Sequence, residues 1–236
     1  LIAGNVVLAK PANTTLGIAT KMIEIFYEVG LPKAAIQVLF GDTSQVAKPL
    51  VADERNDLIM MTGSTQTAKA IQQTLAQRPG AITPLIAETG GQNAMIVDSS
   101  ALPEQVVMDI IDSGFRSAGQ RCSACRVVFV HERIADKIIT MITGAMAALK
   151  IGDPQALMTD VGPVIDNAAL KGLQDHQAYL DEIGTCLYQM PLNDSCQDGT
   201  FFAPALYEIN SLSDLKGEVF GPIVHLIRYG SKEIDR

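Results

Sequence analysis

The chain has 236 residues, 47% of them hydrophobic and only 19% charged, which is enough apolar material for a packed core in one large domain or two smaller ones. Its formal net charge of -8 argues against a nucleic-acid backbone as partner, because that binding is built on clustered Lys and Arg. No apolar run approaches the roughly 18 residues of a membrane span, and four cysteines in so long a chain are too few for a secreted disulfide framework.

The first residues lack the basic start, apolar stretch and cleavage site of a signal peptide. A cytoplasmic location with free thiols is therefore expected. The chain opens at Leu1 without methionine and closes at Arg236 just after the strand-like run VHLIRYG, so it is expected to be a piece of something larger.

GNVVLAKPA, residues 4–12, reads as a short β-branched strand ended by Lys10 and Pro11. Over 14–29 the residues Ile18, Met22, Ile25, Phe26 and Val29 follow one helical face, and Gly30 with Pro32 stops the helix. IQVLF (36–40) is a second strand, 44–52 a short helix, and DLIMMTGS (57–64) a third strand entering a Gly/Ser/Thr turn. Helical spacing resumes over 65–77. Strands alternating with helices of this length predict an α/β front third with a parallel sheet covered on both faces.

TPLIAETGGQNAMIVDSS (83–100) holds two strand-like runs split by Thr89, Gly90 and Gly91. A helix is predicted over 104–118, presenting Val107, Ile110, Ile111 and Phe115. After the cysteine stretch comes the strand RVVFVH, then an amphipathic helix over 134–149, a helix over 167–183, and strands near 185–189, 201–208 and 222–229. Residues 191–199, PLNDSCQDG, are the best candidate for a mobile surface loop. No internal repeat or long linker is visible.

The chemistry centres on SAGQRCSACR (117–126), where Cys122 and Cys125 are flanked by Arg121 and Arg126. A zinc site needs two further ligands, yet Cys186 and Cys196 are ten apart and His131, His176 and His225 are isolated, so no metal is expected. A thioredoxin-like pair should sit at a helix N-terminus, where the dipole lowers the pKa of the attacking thiol. Here a helix precedes the cysteines and a strand follows. What remains is a single nucleophile on a helix-to-strand loop, with backbone N–H groups for an oxyanion and a neighbouring arginine favouring the thiolate.

A carboxylate elsewhere must then act as base. Glu88 follows the apolar run PLIA and precedes flexible backbone; at a buried strand edge, desolvation would raise its pKa toward the range useful to a general base. Its alternative is a salt-bridged surface residue at a turn. TGST (62–65), entering a helix, is either a phosphate seat using free N–H groups and the helix dipole or a plain Gly-Ser helix cap. Lys10 is either a ribose or phosphate contact or a solvated turn lysine. Glu218 in KGEVFGP is either a ribose clamp or a turn charge.

In order, the segments AGNVVLAKPA, MTGST, ETGGQN, FRSAGQRCSACRV and GEVFGPI resemble the aldehyde dehydrogenase superfamily. The cysteine stretch and IAETGGQNAMIVDSSALPEQVV look closer still to the glutamate-semialdehyde (1-pyrroline-5-carboxylate) dehydrogenase region of bifunctional proline-utilisation flavoproteins. The resemblance implies an α/β, aldehyde dehydrogenase-like fold: an incomplete variant Rossmann NAD-binding part in residues 1–90 and an α/β catalytic domain, C-terminally truncated, in 91–236.

It further implies Cys122 as nucleophile, its own backbone N–H as part of the oxyanion hole, and Glu88 as the base that activates hydrolytic water. Lys10 and Glu218 would hold the two riboses of NAD, Gly63 and Ser64 would meet the pyrophosphate, and Phe220 would border the nicotinamide. Phe115 would line the aldehyde tunnel, while Ser123 and Arg121 would serve the carboxylate of glutamate semialdehyde. Cys125 is a partly buried bystander. FAD would belong only to a proline dehydrogenase part outside these residues, and the parent is expected to be a homo-oligomer.

The resemblance also puts outside these residues the upstream strands with the asparagine that completes the oxyanion hole, the downstream loop that anchors the aldehyde, and the arm used to dimerise. Residues 1–236 alone are therefore expected to show little or no turnover. Two other readings stay open: an aldehyde dehydrogenase for another small semialdehyde, such as succinate semialdehyde, and a non-catalytic scaffold that keeps the fold. A pure scaffold, however, has no physical use for a nucleophile and a base at this spacing.

Overall fold

A computed structural model describes residues 1–233 and divides them into two compact units, one spanning Leu1–Gly90 and the other running from Gly91 onward. In the first, β1 (Val7–Ala9) pairs in parallel with β2 (Ile36–Val38), and β3 (Ile59–Gly63) in parallel with β4 (Leu85–Thr89). The connections carry α1 (Leu16–Glu28), a wide helical turn at Thr43–Ala47 running into α2 (Lys48–Ala52), and α3 (Thr65–Ala76).

α1 ends where the sequence says it should. Gly30 takes φ +97°, and the amides of Gly30 and Leu31 return to the carbonyls of Tyr27 and Phe26, a left-handed C-terminal cap that only glycine adopts without strain. Tyr27 Oη then donates to the Ile36 carbonyl at 2.6 Å, fastening the helix to β2.

Two expectations are corrected here. The parallel strands form two separate two-stranded ladders rather than one sheet. The apolar face of α1 is not covered: Ile18 is 79% and Val29 77% exposed, with Met22 and Ile25 also outside. Periodicity identifies a face that wants burial, but three-residue strands offer too little surface to provide it.

In the second unit, β5 (Ala94–Val97), β6 (Val127–His131), β9 (Ile223–Tyr229), β8 (Ala205–Glu208) and β7 (Thr185–Gln189) lie in that spatial order. All are parallel except β7, which runs antiparallel to β8. α4 (Pro103–Phe115), α5 (Glu132–Ala148) and α6 (Asn167–Ile183) complete the unit. Asp166 caps α6 by accepting from the Ala169 amide at 2.8 Å, as an N-cap aspartate should.

Ile110, Ile138, Ile142, Met146, Leu173, Leu180, Leu206 and Leu226 are fully enclosed in one continuous core. Each contributes about 1.5–3 kcal/mol by leaving water. The expected loop at 191–199 is anchored rather than free: Cys196 is buried with its thiol on Asn193 Oδ1 (3.3 Å), and Asn193 Nδ2 donates to the Ile151 carbonyl.

The predicted helix over 104–118 stops early. α4 ends at Phe115, and Ser117, Ala118 and Gly119 then take φ of 55°, 52° and 64°. Two consecutive non-glycine residues in the left-handed region cost about 1–2 kcal/mol each, so the neighbouring contacts must hold this turn in place.

Candidate active site

Parallel pairing gathers the motifs. Because β5, β6 and β9 are adjacent and run the same way, the segments entering them, Gln92–Asn93, Arg121–Arg126 and Gly217–Pro222, arrive at one edge of the sheet. Asn93 Nδ2 donates to the carbonyls of Cys122 (2.6 Å) and Ala124 (3.0 Å), and its own carbonyl accepts from the amides of Arg126 and Val127. Gln92 Nε2 donates to the Gly217 carbonyl at 2.7 Å. Adjacent amide side chains thus pin the cysteine loop and the Glu218 loop. Gln120 ties the same loop to residues 163–165 through Pro163 O and the Ile165 amide.

Within that loop Cys122 is exposed and Cys125 buried. The two sulfurs live in different environments: burial pushes the Cys125 thiol up to about 11, opposed only in part by backbone hydrogen bonding at Val127 and by Arg126. Cys125 is therefore a protonated thiol at neutral pH, packed against the core. The Cys122 amide makes no hydrogen bond among the described residues, while its carbonyl is fixed by Asn93. An unclaimed N–H beside an exposed sulfur is what an oxyanion donor requires.

Among the described residues no group of three or more His, Cys, Asp or Glu is gathered to hold a metal.

Three residues sit differently from expectation. Arg121 does not face the cysteine; its Nη2 donates to the carbonyls of Asp112 (2.9 Å) and Ser113 (3.3 Å) at the end of α4, where unmet carbonyls and the negative end of the helix dipole attract a cation. Phe115 is 1% exposed and part of the core, because position 115 continues the inward stripe of Val107 and Ile111 rather than opening onto a tunnel. Glu88 is exposed, not a buried-edge carboxylate. Ser123 is exposed and makes no side-chain hydrogen bond among the described residues.

Glu88 does have a structured neighbourhood within its own unit. The register of β3 and β4 pairs Thr62 with Glu88 and Gly63 with Thr89, so MTGST and ETGG meet at the carboxyl ends of parallel strands, where ligands of α/β sheets bind. Ser64 caps α3, its Oγ accepting from the Thr67 amide at 3.1 Å. This satisfies one first-turn donor and leaves the amides of Thr65 and Gln66 without intrahelical partners. Lys10 leaves the end of β1 and is engaged locally, its Nζ 3.2 Å from the Pro11 carbonyl and 3.3 Å from Asn13 Oδ1.

Glu218 and Phe220 belong to a group that sequence reasoning missed. Arg126, noted there only as a flank of the cysteines, is 1% exposed and lies 3.5 Å from Glu218 Oε1. Its guanidinium carbon is 4.9 Å from the centre of the Phe220 ring. The available signal was a charge opening an otherwise apolar strand, RVVFV, since such a charge must be paired inside. Glu218 Oε1 is buried and lacks a hydrogen-bond partner. The concavity under the end of α5, lined by Lys150, Ile151, Met158, Tyr188, Met190 and Asn193, contains none of these residues.

Comparisons with known proteins place the chain in a family. Residues 1–234 match the aldehyde dehydrogenase family. The chain is 47% identical over 244 residues to the bifunctional protein PutA of Klebsiella aerogenes, covering 100% of this chain and 19% of that protein. It is 34% identical to the 1-pyrroline-5-carboxylate dehydrogenase of Bacillus thuringiensis (strain Al Hakam), covering 95% of this chain and 44% of that one. Among solved structures, betaine aldehyde dehydrogenase from Staphylococcus aureus, in complex with NAD+, superposes with a TM-score of 0.89 at 27% identity, covering 97% of this chain and 46% of that one. The chain thus spans about a fifth of the PutA relative's length.

Proposed function

Because this chain belongs to the aldehyde dehydrogenase family, we propose that it carries the cysteine half-site of an NAD-dependent dehydrogenase that oxidises L-glutamate γ-semialdehyde to glutamate, the second step of proline catabolism. The observation that carries the reading is the split between the two thiols. One loop holds Cys125 buried and protonated and presents Cys122 exposed beside an unclaimed amide. Similarity to a 1-pyrroline-5-carboxylate dehydrogenase supports the choice of substrate.

In this reading the Cys122 sulfur attacks the aldehyde carbon, forming a thiohemiacetal whose oxygen is met by the Cys122 amide. Asn93 keeps that amide in place by holding the carbonyl of the same residue. Loss of hydride leaves a thioester on Cys122, and Glu88 takes a proton from the water that cleaves it. Ser123, exposed beside the nucleophile, is assigned to the substrate carboxylate.

The chain's residues fit a dinucleotide on two counts. In the second unit the Glu218 carboxylate, oriented by Arg126 through its buried Oε1, suits a ribose hydroxyl, and in the first unit the first turn of α3 behind Gly63 and Ser64 suits a pyrophosphate. Bound NAD would supply the hydride acceptor. Lys10 and Glu218 would hold its riboses and Phe220 would border its ring. Residues 1–90 are assigned to a partial NAD-binding domain and 91–236 to the catalytic domain, which adds Glu218 and Phe220 to the cofactor's contacts. FAD chemistry, a homo-oligomeric assembly and a cytoplasmic location are assigned to the full-length protein. No helix among the described residues is long and apolar enough to cross a membrane.

The test is NADH production by the full-length protein with glutamate semialdehyde and, separately, succinate semialdehyde. Cys122→Ala should lower turnover about a thousandfold or more. Glu88→Gln should release one burst of NADH and then fall about 10²–10⁴-fold in the steady state. Unchanged turnover in Cys122→Ala would overturn the reading, and faster turnover of succinate semialdehyde would replace the substrate.

A further inference from the structure

One buried side chain touches both the cysteine loop and the Gly217–Pro222 loop. Arg126 Nη1 donates to the carbonyls of Gly119 (2.5 Å) and Gly221 (3.3 Å), and Nη2 to the carbonyl of Arg121 (3.1 Å). Two of these carbonyls belong to the left-handed turn and the residue just before Cys122; the third lies beyond Phe220. On its far side the guanidinium meets the Glu218 carboxylate and the face of Phe220.

Its backbone is held as firmly. The Arg126 carbonyl accepts from the His225 amide (2.9 Å) and from His225 Nδ1 (2.8 Å). A carbonyl can only accept, so Nδ1 carries the proton, and His225 Nε2 accepts from His176 Nε2 at 3.0 Å. The two loops also touch directly, since a Cβ on Gly119 would run into the carbonyl of Gly221. No lysine could replace this arrangement, because only a planar guanidinium offers diverging donors to three carbonyls while facing an aromatic ring and a carboxylate.

We propose that Arg126 is a positioning residue that locks the Cys122 loop and the Glu218–Phe220 loop into one register, so that cofactor capture and nucleophile reactivity are set by the same guanidinium. The inference rests on the preceding assignment of Cys122 as nucleophile and Glu218 as ribose ligand. The ion pair at 3.5 Å engages the buried Glu218 Oε1 and so fixes the plane of the carboxylate, whose second oxygen is left for a hydroxyl.

The test uses the full-length protein with the single variants Arg126→Lys and Glu218→Gln and their double variant. Two quantities are read: NAD+ affinity by titration calorimetry, and the rate of Cys122 alkylation by iodoacetamide against pH in the absence of cofactor. Arg126→Lys should weaken NAD+ binding about tenfold, within the range for residues in one network, and shift the alkylation profile. Glu218→Gln should weaken binding but leave alkylation unchanged, and the double variant should bind no worse than the weaker single variant.

An alkylation profile in Arg126→Lys identical to the parent's, or affinity losses that multiply in the double variant, would overturn the proposal. If Arg126→Lys does not fold, Phe220→Ala, at a position 41% exposed, removes the ring under the guanidinium. It should shift Cys122 alkylation several-fold, and an unshifted profile overturns the proposal. Alkylation and binding are read without turnover, so failure of the aldehyde assignment in Cys122→Ala is a separate result.

Discussion

The two units of this chain are built from similar alternations of strand and helix, yet they bury very different amounts of themselves. In residues 1–90 only Ile23, Ile36 and Val51 are buried among the described residues, whereas the second unit closes a continuous core from Val97 to Ile227. The difference follows from sheet size. Two-stranded ladders have no interior, while β6, β9 and β8 are each paired on both sides and so offer faces that helices can cover. Both units nevertheless present motifs at strand ends, so bringing chemistry-bearing residues together needs only parallel register, whereas holding them still needs a core.

The sharpest way to break this comparison is to cut into each unit equally. Ile138→Ala, on the fully buried face of α5, should cost about 2–5 kcal/mol in urea unfolding. Ile18→Ala, on the exposed face of α1, should change stability by no more than about 0.5 kcal/mol. Similar losses at both positions would mean that the first unit is as well packed as the second.

Acid should act mainly on the second unit. Burial depresses His225 to about 4 from an ordinary 6.5, with His176 and Arg126 adding in the same direction and the Arg126 carbonyl opposing. The unfolded chain therefore binds a proton that the folded chain refuses between those values. The stabilising effect is complete above about pH 6.5 and is lost as pH falls toward 4, by about 3 kcal/mol. Melting curves across that window should show the loss, and His225→Asn should flatten it.

A smaller effect belongs to the first unit. Ser64→Ala removes the cap on the Thr67 amide and should destabilise α3 by about 1 kcal/mol, read as faster amide exchange in α3 and unchanged exchange in β6 and β9.

Much of this was legible in the sequence for local reasons. α6 matches the helix expected over 167–183, and in the structure Asp166 caps its start while Gly184 follows its end. The end of α4 was misread because nothing about the residue types Ser117 and Ala118 announces positive φ; the surrounding contacts impose it. The contrast of Cys122 and Cys125 sits within a motif visible in the sequence, but the turn of Arg121 toward the carbonyls of α4, the burial of Phe115 and the exposure of Glu88 depend on what lies next to each in space. Arg126 was missed as a hub because two of its partners, Glu218 and Gly221, lie 92 and 95 residues further along the chain.

That separation bears on the order in which the molecule assembles. β9 comes last among the described strands, yet it inserts at the middle of its sheet, between β6 and β8. Until it docks, β6 and β8 cannot meet their central neighbour, and the carbonyl of Gly221 is not there to receive Arg126. The tie from Gly221 to the loop bearing Cys122 therefore depends on the last described strand being in place. A nascent chain halted before residue 223 carries Cys122 without the central strand beside its loop.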